Sequence, residues 1–267
     1  ALAAAAIRLV PLQWLHPLNW DEIEFFRATS WIAEGRIPFR DFWEHHTPLA
    51  WFLFAPVAAL VKGPGVDAIV ALRWAQIPVW IATFRLLHLW MRNAGIGRLE
   101  RWAATAAALC SSLFMIPAVE VRVDSVACML YVGGLVAYQK SANDGTARTR
   151  WALLSGAAFC LCGLANIRFG PLLAVTVLLL RIVDPRTRSW KGDPRANFVI
   201  AGAAGTFAGA LLGFAATGSL AQLYRQVWVE NYLGDKFATE IIGGFTHRLL
   251  VPFGVRIIGS DRLFELA

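Results

Sequence analysis

Apolar runs of near span length follow one another along this chain. They fall at 68–91, 102–118, 125–139, 151–166, 169–183, 196–216 and 246–259. A helix needs about 20 apolar residues to cross a bilayer, so the longer runs suffice and the shorter ones need their flanks or tight packing. Hydrophobic residues make up 57% of the 267, and the mean hydropathy is +0.53. That is too apolar for one soluble domain. The expected fold is all-α: a polytopic transmembrane helical bundle, one domain over 1–267, with external loops at 19–49 and 217–245. The chain begins at Ala1 and stops in an apolar stretch, Leu263 to Ala267, as expected of a piece of a longer protein.

Charge placement gives the expected sidedness. Arg92, Arg98 and Arg101, then Lys140, Arg148 and Arg150, then Arg186, Arg188, Lys191 and Arg195 crowd one set of connections. Such loops face the cytoplasm. The alternate connections are sparsely basic, with Arg122, Arg168, Arg225 and Lys236. The apolar stretch 48–61 spans only about 14 residues, a length that suits an interfacial or re-entrant helix. If it does not cross, segments 19–46, 119–124, 217–245 and the turn at Arg168 share the extracytoplasmic face. The net charge of +7 is spread over loops and forms no nucleic-acid stripe. Cys110, Cys128, Cys160 and Cys162 lie in apolar runs and read as small core hydrophobes. Gly205 and Gly209 form a G-x-x-x-G that permits close helix approach.

Within this apolar chain lies a polar island, Asn19 to His46, holding Asp21, Glu22, Glu24, Arg40, Asp41, Glu44, His45 and His46. Ionisable groups in membrane proteins gather where function lies. Asn19 reads as a helix cap, with Glu22 placed to reach back to the cap amide. The helix is expected to run to about Ala33 and stop at Gly35, with Ile23, Phe25, Phe26, Ala28, Trp31 and Ile32 as a broad apolar face. Acids in a first turn also offset the macrodipole, which is a sufficient reason for them in a soluble protein.

Three segments carry a resemblance. Asp21-Glu22, then Phe26, Ala28 and Gly35, then Pro38-Phe39-Arg40-Asp41-Phe42 and His46-Thr47-Pro48-Leu49 form the first. Glu120-Val-Arg122-Val-Asp124 is the second, and Gly163-Leu-Ala-Asn-Ile-Arg168 the third. In this order they resemble the GT-C superfamily of polytopic membrane glycosyltransferases, of the protein O-mannosyltransferase and lipid A aminoarabinose transferase type. Thr47 departs from the family by standing where relatives carry a proline.

The resemblance implies a membrane enzyme that moves a sugar from a polyprenyl-phosphate donor to a hydroxyl on a lipid, glycan or protein acceptor. Its active site would face the extracytoplasmic side of a bacterial inner or plasma membrane. It implies Asp21 as general base, with Glu22 and Asp124 orienting the acceptor or positioning Asp21. Such chemistry needs a carboxylate to take the acceptor proton and cations to stabilise the departing phosphate. The candidates for phosphate are Arg122, His46, Arg168, Arg225 and Lys236. The alternative is that Arg122 only pairs with Glu120 or Asp124, and that Arg168 only snorkels to the interface. Glu44, His45 and His46 are candidate ligands for a divalent metal ion, the one cofactor considered; the alternative is headgroup contact for one histidine and burial against Trp43 for the other. The loop 217–245, with Tyr224, Trp228, Tyr232 and Phe237, reads as a lid over a sugar cleft or as an interfacial amphipathic helix.

A transporter or flippase of a lipid-linked or small polar substrate is the competing reading, drawing on Arg73 and Arg85 within one apolar run. Transporters place such groups mid-bilayer and often show two similar halves. Here no repeat is visible, and Arg73 lies near enough to a span end to pair with Asp67 or an island acid. A catalytically inert membrane subunit is the third reading.

Overall fold

The computed structural model describes residues 11, 13–61, 66–143, 147–182 and 193–233. They are mostly helical, and among them the only β pairing is one isolated bridge, Pro38 to Phe42. The expected apolar span 246–259, Lys236 and the basic residues Arg186, Arg188 and Lys191 lie outside the described residues.

By its contacts the chain divides into two compact units, residues 1–37 with 46–213, and residues 38–45 with 214–267. The first contains α1 (Trp20–Ala33), α2 (Leu49–Leu60), α3 (Val66–Asn93), α4 (Arg98–Cys110), α5 (Ser112–Val119), α6 (Asp124–Asn143), α7 (Arg148–Ala165) and α8 (Gly170–Ile182). It also holds most of α9 (Ala196–Ala216).

α1 begins and ends where its residues dictate. The Asn19 side chain accepts from the Asp21 amide at 3.3 Å, and the Asn19 amide donates to Glu22 Oε2 at 3.1 Å, closing a capping box. Gly35, at φ +85°, supplies the left-handed turn that stops the helix, its amide donating to Ile32 O while Arg36 donates to Trp31 O. α2 has 12 residues, about 18 Å of helix and short of a hydrocarbon core. The apolar run 102–118, expected as one span, is broken. Ser111 is extended (φ −71°, ψ 134°) and divides it into α4 and α5.

The core of the first unit is the trio α3, α6 and α7. α3 and α6 run parallel: Ser125, at the start of α6, donates to Gln76 on α3, and Gln139, near its end, donates to Trp90 O. α7 returns antiparallel, with Ser155 Oγ donating to Gly134 O at 2.9 Å. Tyr138, Ala152, Phe159 and Val199 form a buried apolar cluster there. Gly134 is needed for this packing, because a Cβ at that position would lie 2.5 Å from the Phe159 ring.

α9 crosses α7 at main-chain contact. A Cβ on Gly156 would lie 1.8 Å from Val199 O, and one on Gly202 2.1 Å from Leu153 O. Gly205 and Gly209, the pair expected to mediate close approach, instead face open space. The glycine that meets a neighbour is Gly202, one helical turn earlier, where α9 crosses α7. A buried polar staple holds the start of α9. Arg195 pairs with Asp193, its guanidinium lies 4.4 Å over the Tyr138 ring, and Tyr138 donates to Asp193. Burial disfavours the Asp193 carboxylate, but its bonds from Arg195 and Tyr138 outweigh that and hold its pKa below the ordinary value.

By length and composition, α9 is the one helix among the described residues long and apolar enough to cross a membrane. α3 is longer, at 28 residues, but carries Asp67, Arg73, Arg85 and Arg92.

The second unit joins residues 38–45 to the segment after α9. Phe39 takes φ +67°, costly for a residue with a Cβ, and packs its ring on Phe214 at 5.8 Å. After one helical turn at Leu220–Leu223 (α10), Tyr224–Leu233 forms a π-helix. Gln226 ties the two stretches together, accepting from the Glu44 amide at 2.9 Å and donating to Phe39 O at 3.3 Å.

Candidate functional site

The first unit gathers the polar segments at one end of the trio. The turn between α5 and α6, residues 120–123, lies beside the start of α1. Gln76 fixes it from α3, donating to Glu120 O and accepting from the Arg122 amide and Ser125 Oγ. Asn19 Nδ2 adds a bond to Glu120 Oε1 at 3.2 Å.

Arg122 is the centre of this end. Its Nε donates to Asp124 Oδ2 at 3.0 Å and its Nη1 to Glu120 Oε2 at 3.0 Å, and Nη1 lies 3.7 Å from Asp21 Oδ2. Asp21 and Asp124, 103 residues apart in sequence, thus share one guanidinium. Burial works against the Arg122 charge, but the hydrogen bonds to Asp124 and Glu120 outweigh it and raise its pKa.

The three carboxylates differ in freedom. Glu120 is buried. Asp124 has both oxygens occupied, Oδ2 by Arg122 and Oδ1 by Asn166 Nδ2 at 2.9 Å. The Asp21 side chain is 50% exposed, and its one ion pair among the described residues is the long one to Arg122. Asp21 is therefore the carboxylate best placed to meet a solute.

Glu22 has a different situation from its neighbour. It is fully buried and accepts from Arg73 Nε at 2.8 Å, Arg73 Nη2 at 2.6 Å, the Val121 amide at 2.9 Å and the Asn19 amide at 3.1 Å. With both oxygens bonded twice, it locks α1, α3 and the 120–123 turn together. Arg73 completes its own bonding with the carbonyls of Gln13, His16 and Pro17.

The third segment arrives through Asn166, which is extended at the end of α7. Its Nδ2 holds Asp124 and its Oδ1 accepts from the Arg168 amide at 3.0 Å. The Arg168 side chain is exposed on the 3-10 turn Ile167–Phe169. Thr47 donates to Gly163 O at 3.3 Å, tying the His-Thr-Pro-Leu element to the same segment.

The remaining candidates lie elsewhere. His46 packs edge-on to Phe25 (5.1 Å) and Trp51 (6.1 Å). Arg225, in the second unit, pairs with Glu230 at 3.0 Å, and Glu230 also accepts from Trp43 Nε1 at 2.8 Å. His45 stacks on Trp43 at 5.1 Å, with Nδ1 3.6 Å from Glu44 Oε1. Of the expected metal ligands, Glu44 and His45 belong to the second unit and His46 to the first.

Asn166 and Gln76 were not singled out in the sequence, although polar side chains in or beside an apolar run are the usual mark of a buried network. Comparison with known protein families, curated proteins and solved structures finds no match for this chain.

Proposed function

We propose that this chain is a GT-C-type membrane glycosyltransferase that moves a sugar from a polyprenyl-phosphate donor to an acceptor hydroxyl. The observation that carries the reading is the cluster in which Arg122 joins Asp21, Glu120 and Asp124, with Arg168 beside it through Asn166. It draws on the three segments that carry the resemblance.

A polytopic arrangement is part of the proposal. On α6, Asp124 and Lys140 bracket fifteen residues without a charge, about 24 Å of helix and comparable to a hydrocarbon core of about 30 Å. The acidic cluster stands at one end of the trio, and Arg92, Lys140, Arg148 and Arg150 at the other. That is the charge layout of a bundle with its basic end toward the cytoplasm. The active site then faces the extracytoplasmic side of a bacterial inner or plasma membrane.

In this reaction Asp21 takes the proton from the acceptor hydroxyl. The acceptor oxygen forms its bond to the anomeric carbon as the bond from that carbon to the phosphate oxygen breaks, and polyprenyl phosphate leaves with the electron pair. Arg122 has its guanidinium committed to carboxylates, so it orders the acids. Among the described residues of this cluster, Arg168 is the exposed cation, and meeting the leaving phosphate suits its planar fork of donors. The lipid, glycan or protein acceptor follows from the family resemblance alone. A divalent metal, for which Glu44, His45 and His46 are the candidates in the sequence, enters none of these steps.

The transporter reading leans on Arg73, but this arginine is bonded on every side to Glu22 and three carbonyls. The test is release of free polyprenyl phosphate from a panel of polyprenyl-phosphate-linked sugars by the protein in membranes. Asp21→Asn should lower that release by about 10²- to 10⁴-fold, the range for loss of a general base. Undiminished release by a well-expressed variant would refute the assignment.

A further inference from the structure

We propose that Asn166 is a positioning residue that sets the Asp124 carboxylate and the Arg168 cation at a fixed spacing around the acceptor site. The inference rests on the glycosyl-transfer reading for its consequence, though not for its geometry.

Asn166 is buried, 5% exposed, at the break between α7 and the following 3-10 turn. Both halves of its amide are used. Nδ2 donates to Asp124 Oδ1 at 2.9 Å, and Oδ1 accepts from the Arg168 amide at 3.0 Å. One side chain therefore spans from the first turn of α6 to the backbone that presents Arg168. With Asn166 on one oxygen and Arg122 on the other, Asp124 has a single orientation. That orientation fixes Nε of Arg122, and with it the Nη1 that faces Asp21. Removal of the amide donor would free Asp124 to rotate and would loosen the cation that orders Asp21.

The chemistry of the pair supplies a readout that a packing role would not. In Asn166→Asp, the oxygen that accepts from Arg168 is kept, but a carboxylate now faces the carboxylate of Asp124. Two acids in hydrogen-bond contact hold a shared proton more tightly than either alone. Once that proton is bound, the acid O–H can donate as the amide did. Among the described residues, the titratable and charged groups around position 166 are Asp124 and Arg122 from the 120–124 segment, Cys128 on α6 near Asp124, Arg168 from its own turn, and Asp21 and Glu120 beyond Arg122.

The experiment measures polyprenyl-phosphate release against pH for the wild type, Asn166→Ala and Asn166→Asp. Carboxyl infrared spectra of the purified proteins form a second arm. Asn166→Ala should lose about 10- to 100-fold in kcat at every pH, the cost of a misplaced reacting group. Asn166→Asp should be as impaired near pH 8 and recover several-fold near pH 6, a range set by the raised proton affinity of a paired acid. It should also show a protonated-carboxyl band that is absent from the wild type and lost again in Asn166→Asp combined with Asp124→Asn. Wild-type kcat in Asn166→Ala, or an Asn166→Asp profile parallel to that of the alanine variant, overturns the proposal. If the wild type releases no polyprenyl phosphate, the glycosyl-transfer reading fails. The infrared arm still decides the pairing of positions 166 and 124, and absence of the band rejects it.

Discussion

Arg73 grips both carboxylate oxygens of Glu22, with Nε 2.8 Å from Oε1 and Nη2 2.6 Å from Oε2, and both side chains are almost wholly buried. Glu22 is also the capping-box residue of α1, so the pair joins the start of one helix to the flank of another. Among the described residues, each partner is the other's one ion pair.

Removal of one partner leaves an uncompensated buried charge, which typically costs 3–5 kcal/mol. Glu22→Gln and Arg73→Met should each lower the thermal unfolding temperature of the detergent-solubilised protein by many degrees. The double variant should be less destabilised than the sum of the two. Strict additivity in that cycle would mean that the pair carries no coupling.

The crossing of α7 and α9 should separate two kinds of glycine. At Gly156 and Gly202 an added Cβ would meet main-chain atoms that cannot step aside, so alanine should destabilise by about 1–3 kcal/mol, the usual cost of overpacking. At Gly205 and Gly209 it would meet nothing within 4 Å. Alanine there should be neutral or slightly stabilising, by up to about 1 kcal/mol from helix propensity. Unfolding curves of the four single variants test the contrast.

Arg168→Ala should weaken binding of polyprenyl phosphate by about 10- to 100-fold, as expected for a charged hydrogen bond worth 1.5–3 kcal/mol. Arg225→Ala should change it little, since Arg225 is exposed and paired with Glu230. Equilibrium binding of the lipid to each purified variant makes the comparison.

The staple at the start of α9 should show in the pH dependence of stability. The pKa of Asp193 is held low against the opposing effect of burial by Arg195 and Tyr138. A depressed folded-state pKa gives stability that is complete above the unfolded value, about 3.9, and is lost as pH falls through the folded one. Asp193→Asn should thus be less stable than the wild type at pH 5 to 7. The gap should close as pH drops below about 4.

Local signals were legible in the sequence. Asn19, Glu22 and Gly35 announce both ends of α1, because capping needs only neighbours along the chain. The brevity of α2 follows from the length of its apolar run. Motif order and sidedness put Asp21 and Asp124 on one face, but that Arg122 pairs with both was not legible. What escaped depends on facing. Nothing in the run 102–118 marks Ser111 as extended, since serine is tolerated within helices. Gly202 and Gly205 look alike in sequence, and only the point at which α9 crosses α7 decides which one meets a backbone. Asn166 sits at an unremarkable helix end, and its two bonds reach segments that no spacing rule connects.

Arg122 is one cation surrounded by three acids, so formal negative charge stays in surplus around it. An incoming anion is repelled along the Asp21 side and drawn toward the flank where Arg168 stands exposed. A neutral polyol suffers no such repulsion at the half-exposed Asp21. Under the proposed reaction, the uneven charge thus gives each reactant its own door.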